Sequence, residues 1–385
     1  MSCRVLILDG HWNKSVAAIR SLSQAGCRVA VGESSRLAAG MFSRYPAQRL
    51  TYPAPRQAPT AFLHELEQEV ATGRHDLLLP MELATLLLIS PVRQRFTRHV
   101  RLPFAEHHTI LQAAGKMSAQ QAAVTAGLAV PTSLPVTPEA TPALLARKIG
   151  LPLVLKPDMG EGGRGLFYCR DMATLTAALH LIKNQEAAYL AQELVAEGGY
   201  GLGVSILMDD RQNVLASFTH RRLREYPVRG GPSSLRQAVH HRQAEEDAVT
   251  LLRAIQFSGV AMVEFKVESA TDRAFFLEIN PRFWGSLPLA IRAGVDFPTL
   301  LCRWAMGRTF NQPRYQEGLQ MRNLLPGDLL HLLGKAGRVK RDFWNPTIAD
   351  DLLTLSDPGP ALARLLSPLV ALWDPQLKAV LRKRQ

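Results

Sequence analysis

Two short runs late in the chain restrict its fold more than any other feature. They are Gly259-Val260-Ala261-Met262-Val263-Glu264-Phe265-Lys266 and Phe275-Phe276-Leu277-Glu278-Ile279-Asn280-Pro281-Arg282. Both read as strands that could pair antiparallel, and side chains alternate across a strand. Glu278, Asn280 and Arg282 are expected on one face, with Leu277 and Ile279 toward a core and Glu264 beside them on the neighbouring strand. Two carboxylates and an amide carbonyl converging on one face suit Mg²⁺, which binds a few carboxylates plus phosphate oxygens. Arg282 lies beyond these ligands, where its guanidinium could hold an anionic reacting group in a fork of hydrogen bonds.

A second signal lies upstream. Leu153-Val154-Leu155-Lys156-Pro157 reads as a strand delivering a lysine, and a glycine-dense turn follows, with Gly160, Gly162, Gly163 and Gly165. Such a turn lets backbone N–H groups approach phosphates closely, although it is not the P-loop pattern. The third signal is Gln192-Glu193-Leu194-Val195 with Glu197 close behind, an acidic strand end followed by apolar backbone that suits an adenine edge and ribose hydroxyls.

Around these runs the chain changes texture. Val5 to Leu8, Arg28 to Val31 and Leu77 to Leu79 read as strands, and Lys14 to Ala25, Pro59 to Thr72 and Leu83 to Ile89 as helices. This βαβα rhythm predicts a small parallel sheet, an α/β half-Rossmann layout. Its first turn, Asp9-Gly10-His11-Trp12-Asn13, is not GxGxxG, so it reads as scaffold, or as one wall of a substrate pocket. Met117 to Ala126 predicts a helix, and prolines then punctuate a connector. Residues 151–283 are strand-rich, as in an α+β domain, and beyond 311 the pattern predicts apolar helices. The expected division is 1–112, 113–310 and 311–385.

Lys116 at a helix start, Lys156, the glycine turn, Gln192-Glu193-Leu194-Val195, Glu264 and Glu278-Ile279-Asn280-Pro281-Arg282 occur in the order and spacing of the ATP-grasp superfamily. Over roughly residues 1–310 the chain resembles its carbamoyl-phosphate-synthase-like and carboxylate–amine ligase branch. The resemblance implies an α/β N-terminal domain, an α+β ATP-grasp domain whose two lobes clamp ATP, and a helical C-terminal extension. It implies that Lys116 and Lys156 neutralise phosphates and that Gly160 to Gly165 cover them. Glu193, Leu194 and Val195 would contact adenine, with Glu197 or Gly201 at the ribose. Glu264, Glu278 and Asn280 would hold Mg²⁺, two ions, with Mn²⁺ as a substitute. Gly115 departs from the family, whose members often carry Asp before this lysine.

Between Arg221 and Arg236 the chain places five arginines in sixteen residues, opposed by Glu225 alone. With Arg282, Arg224 and Arg229 are the candidates for holding a carboxylate substrate and stabilising charge during phosphoryl transfer. The expected reaction activates a carboxylate as an acyl-phosphate and couples it to an amine, releasing ADP and phosphate. Bicarbonate activation and a non-catalytic ATP-binding module are the rivals. The chain of 385 residues has a formal charge of +12, which favours polyanionic partners, but no nucleic-acid motif accompanies it. Four scattered cysteines without a CxxC pair, no signal-like N-terminus and no long apolar run predict a cytoplasmic protein. The tail from Leu362, leucine-rich and then basic, reads as a packed helix or as a peripheral membrane contact, and a homodimer is left open.

Overall fold

The computed structural model describes residues 3–160, 165–183, 185, 187–195, 199–225, 231, 233–328, 343, 345 and 347–382. Strands β1 (Arg4–Ile7), β2 (Arg28–Glu33), β3 (Gln48–Thr51) and β4 (Leu77–Leu79) form a parallel sheet in the order β3-β2-β1-β4. Its strands are apolar because both faces are covered: Val5 and Ile7 enter one core, Leu6 and Leu8 another.

A second sheet is antiparallel, with β5 (Ser133–Val136), β6 (Leu153–Pro157), β7 (Phe167–Cys169) and β8 (Tyr189–Glu193) in the order β5-β8-β6-β7. Leu153, Leu155 and Ala191 pack with Leu145 and Leu175 of helices Pro142–Ile149 and Met172–Lys183. Period-2 alternation therefore turns Val154, Lys156 and Gln192 to the opposite face.

The largest sheet contains β9 (Tyr200–Met208), β10 (Val214–Glu225), β11 (Ser233–Ala238), β12 (Gly259–Val267), β13 (Ala274–Asn280), β14 (Gln320–Arg322) and β15 (Ala349–Asp350), in the order β13-β12-β9-β10-β11-β14-β15. On one face Leu202, Val204, Val263 and Phe265 pack with helices Lys116–Thr125 and Arg242–Ala254. On the other, Leu207, Phe218 and Met262 share a core with the parallel sheet and with helices Leu287–Ala293 and Phe297–Ala305.

The structure departs from the sequence reading, or extends it, in three places. Residues beyond 311 are not purely helical, because β14 and β15 extend the large sheet; strands of three and two residues are too short to show a period. The arginine-rich segment, read above for its charge alone, is mostly a hairpin, β10–β11. Its inward residues are charged, which hides the apolar alternation of a strand. The proline-rich connector contains β5, whose Pro135 sits on an edge strand, where a missing N–H is tolerated.

The C-terminal part is locked to the sheet by buried charge. The Arg236 guanidinium pairs with the Asp351 carboxylate, and both side chains are buried. Removing one member of such a pair strands the other, which costs about 3–5 kcal/mol. Asp351→Ala should therefore lower the melting temperature markedly, while Arg236→Met with Asp351→Leu should recover much of the loss. Calorimetric melts of the three proteins check this.

Candidate active site

The acidic pair is built by register. On β12 and β13, Glu264 lies directly opposite Glu278, and Val263 opposite Ile279. The next pair is Phe265 with Phe276, so the register shifts by one residue at Leu277. That bulge lets Phe276 and Ile279 both enter the same core while Glu278 and Asn280 face the other side. Leu277 is only half-buried at the shift, which corrects the expectation that it faces the core.

Around the pair the polar contacts are dense. Asn280 Nδ2 donates to Glu264 Oε1 at 3.2 Å and to Glu278 Oε1 at 3.4 Å. Arg282 Nη2 donates to Asn280 Oδ1 at 3.1 Å, and its Nη1 to the Phe283 carbonyl at 2.7 Å. Arg222 pairs with Glu264, and Lys116 Nζ lies 3.8 Å from Glu278 Oε2. Burial pushes the Glu264 carboxyl up, and the Arg222 guanidinium opposes that shift. Among the described residues no three His, Cys, Asp or Glu side chains form a metal cluster. The donor set is thus two carboxylates and one amide, which fits a hard cation that takes its remaining ligands from phosphate and water. A half-rotation of the Asn280 amide would offer Oδ1 in place of Nδ2.

Facing this cluster is Lys156, held from the second sheet. Its Nζ donates to Gln192 Oε1 at 2.5 Å, and Gln192 Nε2 donates to Ser133 Oγ at 3.0 Å. Ser133 also accepts from Gln120 Nε2 at 2.6 Å and donates to the Pro131 carbonyl at 3.0 Å. This chain of bonds fixes the Gln192 amide with its oxygen toward the lysine. Burial, with Lys116 as a lesser cause, pushes the Lys156 ammonium down to about 8, while Glu278 and Glu264 pull it up.

Lys116 opens helix Lys116–Thr125 and is tied to the strand that leads into the glycine turn. Its backbone N–H donates to the Asp158 carbonyl at 3.1 Å, and Met117 N–H to Asp158 Oδ1 at 2.8 Å. Lys116 Nζ approaches the Asp158 and Gly160 carbonyls, each at 3.4 Å. A Cβ on Gly115 would meet Ser118 Oγ at 2.6 Å. Asp158, which the sequence reading passed over, thus supplies the carboxylate at this helix start.

Gly165 adopts φ +66°, which favours glycine. Gly162, Gly163, Glu197 and Arg229 lie outside the described residues. Glu193 turns its carboxylate onto the Thr132 N–H at 3.1 Å, and Leu194 N–H donates to the Pro152 carbonyl at 3.3 Å. The Glu193 side chain therefore joins β8 to the residue that precedes β5.

The arginines divide by partner. Arg224 Nη2 donates to Asp328 Oδ2 at 2.8 Å, with both side chains buried, and Arg221 lies 3.8 Å over the Tyr200 ring. Arg224 is thus paired within the fold, and its expected role on substrate remains a proposal. Arg222 is the member that reaches the acidic pair, and the small residues of β9 make room for it. A Cβ on Gly201 would fall 2.9 Å from Arg222 Cδ, and one on Gly203 2.3 Å from His220 Cε1. Burial, then Arg222 and Arg236, push the His220 imidazole well down, so it is neutral. From the parallel-sheet domain, Lys14 pairs with Glu82 at 2.7 Å and donates to the Phe283 carbonyl at 3.1 Å, next to Arg282.

Residues 115–312 match the family described as carbamoyl-phosphate synthase L chain, ATP binding domain. The chain belongs to this ATP-grasp family. It is 26% identical over 317 residues to the carbamoyl phosphate synthase large chain of Rubrobacter xylanophilus, covering 77% of this chain and 29% of that one. The chain spans less than a third of the length of the curated relatives it matches. N5-carboxyaminoimidazole synthetase from Staphylococcus aureus, solved with ADP, shares the fold at a TM-score of 0.69 and 17% identity, over 86% of this chain and 85% of that one. The biotin carboxylase domain of 2-oxoglutarate carboxylase from Hydrogenobacter thermophilus, solved with MgADP and bicarbonate, gives 0.67 at 15% identity, over 82% and 73%.

The geometry yields two expectations. Only protonated Lys156 can neutralise phosphate, so ADP affinity should hold below about pH 8 and weaken as pH rises through that value, by up to about tenfold per unit. Lys156→Arg should flatten this profile, and calorimetry across the range checks both. Arg224→Ala should chiefly lower the melting temperature and leave ADP affinity near wild type, because it removes the cation from a buried ion pair.

Proposed function

We propose that the chain is an ATP-dependent ligase that phosphorylates a carboxylate and transfers the acyl group to an amine, giving an amide, ADP and phosphate. One observation carries the reading. Lys116 Nζ lies 3.8 Å from Glu278, the charges of Glu278 and Glu264 act on Lys156, and Asn280 bonds Glu264, so cationic and anionic groups meet where a nucleotide's phosphates and a cation would lie between them. Glu264, Glu278 and Asn280 would hold Mg²⁺, which would offset phosphate charge and polarise the transferred group. Lys156 and Lys116 would bind phosphate oxygens, and Gly160 and Gly165 flank the turn that would exclude water from a hydrolysable acyl-phosphate. Glu193, Leu194 and Val195 would border the base.

Arg282, fixed by Asn280 and the Phe283 carbonyl, would hold the acyl end. Arg222 is the second candidate there, released from Glu264 once a cation takes that carboxylate. Arg229 remains a candidate from its place in the sequence. The amine would enter beside Phe283, where Lys14 and Glu82 of the parallel-sheet domain reach the strand end. The domain division 1–112, 113–310 and 311–385 remains our proposal, with β14 and β15 assigned to the large sheet. A second reading, bicarbonate as the carboxylate, is supported by the bicarbonate in the 2-oxoglutarate carboxylase structure.

A phosphate-release screen of carboxylate–amine pairs, with bicarbonate as a separate arm and mass spectrometry of products, tests the reading. Glu278→Gln keeps size but removes a charge, and should lower turnover by at least about a hundredfold with the melting temperature near wild type. Retained turnover in that variant would remove Glu278 from the site.

A further inference from the structure

Helix Gly359–Val370 is built inside out. It buries Pro360, Ala361, Arg364 and Ser367 against the rest of the protein. Leu362, Leu365, Leu366 and Leu369 of this helix, with Leu372 and Trp373 just after it, are 49% to 87% exposed. Surface helices ordinarily do the reverse. Arg364 explains why this helix cannot turn over. Its Nη1 bonds His11 Nε2, and its Nη2 bonds the His11 carbonyl and Asn13 Oδ1. Rotating the leucines inward would pull a buried guanidinium out of that set.

The apolar strip continues onto the parallel-sheet domain. Gly359 abuts the Phe42 carbonyl, and Asp374 accepts from Ser35 Oγ at 2.5 Å. The helix therefore runs alongside residues 35–42, where Leu37 and Phe42 are also exposed. The exposed charges placed beside this surface are basic, and half-buried Asp374 is an acid at its end. Arg36, Arg44 and Lys378 are exposed, residues 358–373 contain no acid, and residues 378–384 hold four basic residues and no acid. Asp374 is already bonded to Ser35.

We infer that this face docks on an anionic lipid bilayer. A leucine and tryptophan surface with a basic rim and an overall charge of +12 has the chemistry of an interfacial helix. No helix among the described residues is long and apolar enough to cross a membrane, so contact would be at the surface. A second copy seated by two-fold symmetry would bring the same basic rims together, with Asp374, held by Ser35, as the acid among the described residues of this face to oppose them.

The test is co-sedimentation of the full chain with vesicles of phosphatidylcholine alone or mixed with phosphatidylglycerol. Binding should require the anionic lipid and fall several-fold on raising salt. Leu365→Glu with Leu369→Glu, both exposed positions, should reduce it at least about tenfold while the melting temperature and ADP affinity stay near wild type. Lys378→Glu with Arg382→Glu should weaken binding to anionic vesicles only. No sedimentation, or sedimentation unchanged in the leucine variant, would overturn the proposal. So would a two-chain mass in light scattering that drops to one chain in that variant, since a second copy would then cover the face.

Discussion

Two carboxylates placed directly opposite each other on neighbouring antiparallel strands repel, which weakens the pairing unless something positive stands over them. In this protein the Glu264–Glu278 pair sets that requirement. Arg222 from β10 meets one carboxylate and Lys116 approaches the other, while Asn280 bridges both. The glycines of β9 exist on this face because a side chain there would displace Arg222 and His220. The bulge at Leu277 follows from the same demand, since it alone lets Glu278 face the site while Phe276 stays in the core. A cation bound to phosphates would satisfy the pair better than the arginine does, and the cluster is arranged so that each carboxylate has a cationic neighbour without one.

The surrounding elements serve this centre at increasing distance. The Gln192–Ser133–Gln120 chain aims Lys156 from the second sheet and links that sheet to the helix that carries Lys116. Asp158, just after β6, ties the same helix to that strand, so the two lysines are mechanically joined. The parallel-sheet domain reaches the strand end through Lys14, and the C-terminal segment neutralises Arg224 and Arg236 with Asp328 and Asp351. Arg222, which meets the acidic pair, and Arg224, which meets Asp328, therefore share one strand, two residues apart.

Much of this was legible in the residues. The alternation in Glu278, Asn280 and Arg282 placed the acidic face, and the apolar runs of β1, β2 and β4 announced a parallel sheet. What escaped is informative. The five arginines read as an anion-seeking cluster because sequence shows charge and not partners, and the acids of Arg224 and Arg236 lie on distant segments, Asp328 and Asp351. Gln192 and Asp158 act through a few specific hydrogen bonds, which leave no periodic trace. Short strands such as β14 are set by tertiary pairing, and the bulge at Leu277 breaks the very alternation used to read the strand. Gly162, Gly163, Glu197 and Arg229 lie outside the described residues and retain only their sequence reading.

The most direct measurement is a crystal structure with ADP and Mn²⁺, using the anomalous signal of the metal. The account predicts a peak within ligand distance of the Glu264 and Glu278 carboxylates, with Arg222 moved off Glu264 and Lys156 on a phosphate oxygen. A metal bound elsewhere, with Glu264 still paired to Arg222 in the nucleotide complex, would contradict it.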